Sequence, residues 1–198
     1  MTGTLVLMYH AVRRPGDVIP ATDYPYSVTE AAFREHLAAL VRLGCRMCDA
    51  AGGAQPRGCT PVVLTFDDSW ASHAGVTLEC LEAAGMKAVF FLTPGQFGLP
   101  GMMTAADVRR LADAGMTIGS HGMTHRYFDD MDTPELGHEL AESRRILRDV
   151  SGQAVEWLSL PGGRDHRQLS ELAAMAGYTR IFTSHPGLYM AVAAGLEP

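Results

Sequence analysis

Residues 62–70 read VVLTFDDSW, and this stretch limits what the chain can fold into more than any other. Val62, Val63 and Leu64, followed by Thr65 and Phe66, have the make-up of a short buried strand. The run ends in two adjacent carboxylates, Asp67 and Asp68. A buried strand has no structural use for neighbouring negative charges, because taking each out of water is expensive unless something cationic compensates. A metal ion is the simplest compensation. Matching ligands follow in residues 120–125, SHGMTH, where His121 and His125 lie four apart. The rest of the chain reads as a scaffold that brings these two stretches together.

Taken in order, that scaffold alternates strand and helix. Leu5–Tyr9 is an apolar run with His10 at its end, and 13–26 is a Pro/Gly-rich loop. Thr29 caps a helix over 30–43 whose inner face holds Phe33, Leu37, Leu40 and Val41, and Gly44 stops it. A short strand near 45–48 and a loop over 50–60 precede the central strand. A helix over 71–84, a strong strand over 87–92, a loop over 93–103 and a helix opening at Thr104 follow. A short strand over 116–118 leads to the histidines. Thr133 caps a helix over 134–150 with Pro134 in its first position and Leu136, Leu140 and Leu147 inward. A strand over 155–160, a turn at Pro161-Gly162-Gly163-Arg164, a helix over 167–176 and a strand over 178–182 complete the pattern. This alternation predicts a parallel sheet covered by helices. His10, Asp67, Asp68, His121 and the Pro161 turn all fall just beyond the C-terminal end of a strand, the edge where α/β sheets assemble their sites. The expected fold is an α/β, distorted and incomplete (β/α) barrel of about seven strands, with residues 1–198 as one domain.

Composition excludes several classes. With 198 residues and 47% hydrophobic content, a full core is expected. A net charge of −6 without a basic run argues against nucleic acid or anionic membrane as partner. No stretch is apolar for long enough to span a bilayer. The opening MTGTLVLMYHAV carries no basic leader, so the expected location is cytoplasmic, or extracytoplasmic if a leader has been removed. Cys45 and Cys48 form a C-x-x-C, but with Cys59 and Cys80 they lack the spacing of a structural zinc site and read as ordinary thiols.

Two histidines four apart can face one way on a helical turn and meet a single ion. With one carboxylate they form a His-His-Asp set that leaves positions open for water and substrate, the arrangement of a catalytic site. The remaining aspartate would stand beside the attacking water as general base. Adjacency alone does not decide which aspartate takes which role. The set does not discriminate strongly among zinc, cobalt, nickel, iron and manganese.

TFDD at residues 65–68 and SHGMTH at 120–125 resemble the first two motifs of the polysaccharide deacetylases of carbohydrate esterase family 4, the NodB-homology domain. The resemblance extends over nearly the whole chain, through the helix after the histidines and the strand leading into PGG. It implies a distorted (β/α) barrel, one divalent metal, often zinc, and hydrolysis of an N-acetyl group from an amino-sugar glycan with release of acetate. It also implies Asp67 as base and Asp68, His121 and His125 as metal ligands. The opening LVLMYHAV is similar to the circularly permuted subgroup that includes poly-N-acetylglucosamine deacetylases, in which a strand ending in histidine comes first. By that pattern His10 is the general acid, and His185, which also follows a strand, is its rival. Gly162 would supply an oxyanion donor next to Pro161, and Trp70 a substrate contact.

The chain departs from the family at two places. Ser69 stands where a glycine usually follows the paired aspartates, and Ser159 stands where an arginine usually faces the catalytic aspartate. Arg164, just past the turn, is the candidate to reach that place. Tyr9, Tyr24, Tyr26, Trp70, Tyr127 and Phe128 are candidate rim aromatics, although core packing explains Tyr9 and Phe128 equally well. Asp129, Asp130 and Asp132 read as a solvated turn with a helix cap. His36, His73, His138 and His166 read as surface positions. Two other functions compete: a non-catalytic carbohydrate-binding domain of the same fold, and a deformylase or amidase acting on a smaller amide.

Overall fold

A strand buried on both faces needs mainly apolar side chains, and PVVLTF at Pro61–Phe66 meets that demand with all six residues buried and Thr65 its one polar side chain. A computed structural model describes residues 4–17, 19, 21–47 and 61–184. In chain order these form β1 (Leu5–Tyr9), β2 (Ala11–Arg13), β3 (Ser27–Thr29), α1 (Glu30–Arg42), β4 (Arg46–Met47), β5 (Pro61–Phe66), α2 (Val76–Ala83), β6 (Val89–Leu92), α3 (Ala105–Asp113), β7 (Thr117–Ser120), α4 (Thr133–Ser151), β8 (Trp157–Ser159), α5 (Leu169–Ala176) and β9 (Arg180–Phe182). The main sheet runs β1-β5-β6-β7-β8-β9 and every pairing is parallel. β4 pairs with the start of β5, and β6 with its end. The sheet curls into a half-barrel whose edges are β1 and β9, as expected of an incomplete barrel of about seven strands. No helix among the described residues is long and apolar enough to cross a membrane.

Period-two alternation divides the core between the two sheet faces. Val62, Leu64 and Phe66 of β5, with Phe90 and Leu92 of β6, join the large cluster that the helices cover. Val63, Val89, Phe91 and Trp157 form a smaller cluster on the opposite face. Gly119 of β7 belongs to this packing: a Cβ there would lie 2.5 Å from the Phe91 ring.

The helices follow their caps. Thr29 Oγ1 accepts the Ala32 N–H at 3.2 Å to open α1, and Thr104 with Asp107 forms a capping box on α3. The cap of α4 is Asp132, not the expected Thr133. A capping box needs an acidic residue three positions on, and Glu135 reciprocates with Asp132. Phe33, Leu37 and Leu40 face the core from α1 as expected, but Val41 lies off that stripe and is 59% exposed. The expected helix over 71–84 is broken: a 3-10 turn at Ala71–His73 gives way at Gly75, whose backbone is not helical, before α2 begins. The 13–26 loop holds a 3-10 turn at Ala21–Tyr26, and β2 pairs with β3 beside it.

The break before α2 sends His73 inward, which corrects its reading as a surface residue. His73 is fully buried against Phe66 and Phe90, and its Nε2 lies 3.2 Å from the His10 carbonyl. Burial holds its imidazole down to about 4. The unfolded chain takes up that proton near the ordinary histidine value of about 6.5, so the stability contributed by neutral His73 is lost as pH falls from there toward 4. Urea unfolding at pH 7 and pH 4.5 should show the wild type losing on the order of 2 kcal/mol more than His73→Phe over that interval.

Candidate metal centre

Parallel strands end on one edge of their sheet, so residues that follow them converge there. β1 delivers His10, β5 delivers Asp67 and Asp68, β7 delivers His121, and β8 ends at Ser159 just before Pro161. Successive strand residues point to opposite faces, which would part the two aspartates. Asp68 instead has φ +66°, a left-handed conformation that aspartate tolerates better than most residues, and it turns its carboxylate toward the histidines. His121 and His125 do not share a helical turn as expected. Gly122, with φ +78°, breaks the chain direction, and a loop carries it to His125 at φ +66°.

Asp68, His121 and His125 each offer one ligand atom, and the three lie within 4.8 Å of one another. Asp68 Oδ1 is 3.0 Å from His125 Nε2 and 3.7 Å from His121 Nε2. It is buried, yet it receives no aligned hydrogen bond. A buried carboxylate oxygen with no aligned hydrogen bond, facing two imidazole nitrogens, fits a divalent cation. Trp70 Nε1 donates to the other oxygen, Asp68 Oδ2, at 3.2 Å. The His121 Nδ1–H donates to the Ser159 carbonyl at 2.9 Å, which fixes the tautomer and leaves Nε2 free for an ion.

The charges are uneven. Burial alone would raise Asp68, but the two histidines beside it hold its carboxyl well below the usual carboxylate range. Burial pushes Asp67 up to about 6, against the pull of His10 and of the Ser159 hydroxyl. Burial holds His121 down to about 4, whereas the Asp68 carboxylate raises His125. Ser159 Oγ donates to Asp67 Oδ2 at 2.8 Å, and among the described residues Asp67 Oδ1 has no hydrogen-bond partner. Ser159 therefore occupies the place beside Asp67 where the family resemblance implied an arginine. Arg164 does not reach it: its guanidinium pairs with Asp129 and Asp130 and lies over the Tyr127 ring at 4.5 Å.

A cleft of about 430 Å³ opens above these residues, and its walls include His10, Tyr26, Tyr127, Leu160 and Gly162. His10 packs against Tyr26 with ring centroids 5.3 Å apart. Tyr26 and Tyr127 are exposed and line the cleft, Tyr24 is exposed but outside its lining with Arg13 over its ring at 4.7 Å, and Phe128 is core. Trp70 is only 8% exposed and acts on Asp68, so it is a buried neighbour of the site rather than part of its rim. Ser69 closes the strand ends together, accepting the Thr93 N–H at 2.9 Å. His185, Cys48 and Cys59 lie outside the described residues; Cys45 and Cys80 are free thiols. Sequence reasoning noticed Ser159 only as a missing arginine. A hydroxyl at the end of a core strand, two residues before the turn, was the available signal.

Comparison with known proteins converges on one family. The family model for polysaccharide deacetylases matches residues 54–181. The peptidoglycan-N-acetylglucosamine deacetylase PgdA of Listeria monocytogenes is 27% identical over 112 residues, 56% of this chain and 23% of that protein. The chain spans less than half the length of the curated relatives it matches. Among solved structures, the Streptococcus pyogenes deacetylase PplD, in complex with acetate, superposes with a TM-score of 0.83 at 20% identity, covering 94% of this chain and 86% of that one. IcaB from Ammonifex degensii gives 0.76 at 20% identity, covering 92% and 84%. At these identities the structural matches speak for the fold.

Gly162 is set by packing. Its φ is +63°, and a Cβ would lie 2.6 Å from Tyr127 Cε1. Gly162→Ala should destabilise the protein by about 1–2 kcal/mol from the left-handed backbone alone, with a further loss from displacing Tyr127. Urea unfolding measures the total, and an unchanged midpoint would contradict the packing described.

Proposed function

The chain belongs to the polysaccharide deacetylase family, and on that premise we propose that it removes N-acetyl groups from an N-acetylglucosamine-containing poly- or oligosaccharide, with one divalent cation, zinc first, held by Asp68, His121 and His125. The observation that carries this reading is Asp68 Oδ1, buried with no aligned hydrogen bond among the described residues and facing both imidazoles. The name of the Listeria relative supports an amino-sugar substrate, and the exposed tyrosines at the cleft suit stacking against sugar rings.

A cation at that position supplies a Lewis acid for the acetamide carbonyl and lowers the pKa of water. The chain's own residues do the rest. Ser159 ties one oxygen of Asp67 and leaves the other free, so Asp67 Oδ1 accepts the proton of the attacking water. The Gly162 N–H donates to the oxyanion that develops on the carbonyl carbon's oxygen. His10, on the cleft wall, donates a proton to the departing amine nitrogen. The C–N bond breaks, acetate leaves, and the sugar keeps a free amine.

Acetate release from N-acetylglucosamine oligomers tests the assignment. Asp67→Asn should retain the cation and lose turnover by ~10²–10⁴; undiminished turnover would overturn the role of Asp67. His10→Ala should lose activity by a comparable factor, and loss confined to His185→Ala would move the acid role to that residue.

A further inference from the structure

A carboxylate in the apolar stripe of a helix is destabilising unless its acceptors are filled. Glu139 is such a residue. It lies on α4 among buried Leu136, Leu140, Ser143 and Leu147 and is 6% exposed. Its Oε1 accepts three hydrogen bonds from one short segment: the Met123 N–H at 2.7 Å, the Thr124 N–H at 2.5 Å and the Thr124 hydroxyl at 2.9 Å. Among the described residues it forms no ion pair. Met123 and Thr124 lie between His121 and His125 on the loop that carries both imidazoles.

That loop has two left-handed residues, Gly122 and His125. A non-glycine residue such as His125 is strained in this region and persists there only where the surroundings hold it. The surroundings here hold the loop from three sides. The Gly95 N–H donates to the Met123 carbonyl at 2.8 Å, and the Gly122 N–H to Ser120 Oγ at 3.2 Å. Glu139 grips the apex and presses close, since a Cβ on Gly122 would lie 3.1 Å from its Oε1. We infer that Glu139 is a positioning residue for the cation site: by holding Met123 and Thr124 it presets His121 and His125 against Asp68, so that binding need not order the loop. The inference rests on the metal reading of those three residues. Outer partners of metal ligands commonly alter affinity by about 10–100-fold.

The test is the equilibrium affinity for Co²⁺, followed by its visible absorption in competition with a chelator, for wild type, Glu139→Gln, Glu139→Ala and Thr124→Val. The amide oxygen of Gln can accept the same three bonds, so Glu139→Gln should stay within a few-fold of wild type. Glu139→Ala should bind about 10–100-fold more weakly. Thr124→Val removes one donor and should fall between them, and it carries the test if Glu139→Ala does not fold. A purely structural role would lower the unfolding midpoint of the cation-free protein and leave the affinities equal. Equal affinities for wild type and Thr124→Val, or Glu139→Gln as weak as Glu139→Ala, would overturn the positioning role. Failure of the wild type itself to bind Co²⁺ would overturn the metal reading beneath it.

Discussion

Two carboxylates at the end of one core strand are the constraint from which the rest follows. Burying an ion costs several kcal/mol even after relaxation, and β5 brings Asp67 and Asp68 to the same place. The fold answers each in a different way. Asp68 turns through a left-handed backbone, gives one oxygen to Trp70 and presents the other to two imidazoles. Among the described residues Asp67 has its nearest imidazole nitrogen at 3.9 Å, in His121; a serine hydroxyl holds one oxygen and burial raises its proton affinity. Neighbours in sequence thus acquire opposite tendencies, the division of labour that acid–base chemistry at a polarised carbonyl needs.

Four parallel strands supply the groups, but loops aim them. β7 ends at Ser120, and the chain needs five further residues to set His121 and His125 facing one carboxylate. A helix would have done this by periodicity. The loop does it through left-handed residues and through hydrogen bonds with the rest of the fold, including those it donates to Glu139 on α4. The serines at the two positions where the family resemblance implied a glycine and an arginine follow the same logic. Ser69 bonds to the Thr93 backbone across strand ends, and Ser159 bonds to Asp67 through its hydroxyl and to His121 through its carbonyl. Both are wired into the site.

Much of this was legible in the sequence. Apolar runs such as VVLTF and VFFL state their burial outright, and the alternation of strand and helix carried the parallel sheet and its curled form. That His121 and His125 would meet one of the paired aspartates followed from residue type and order, while the choice of Asp68 came from the family resemblance. What escaped depended on tertiary partners. His73 looked like part of an exposed helix because nothing local announces the break at Gly75. Arg164 was a reasonable substitute for the family's arginine until Asp129 and Asp130, which read as solvated, proved to be its partners. Thr133 and Asp132 both suit a helix cap, and only the reciprocal bond with Glu135 separates them. Glu139 was not singled out at all, although its place in the Leu136–Leu140–Leu147 stripe was a signal in plain view.

The claim on which the account depends is that Asp68, His121 and His125 together hold one divalent cation. Elemental analysis of the purified chain after equilibration with zinc and removal of the excess, alongside His121→Ala treated identically, tests it most directly. The account predicts about one zinc per wild-type chain and its loss in the variant. A wild type that retains no metal, or a variant that retains as much, would mean that these three side chains do not form a cation site.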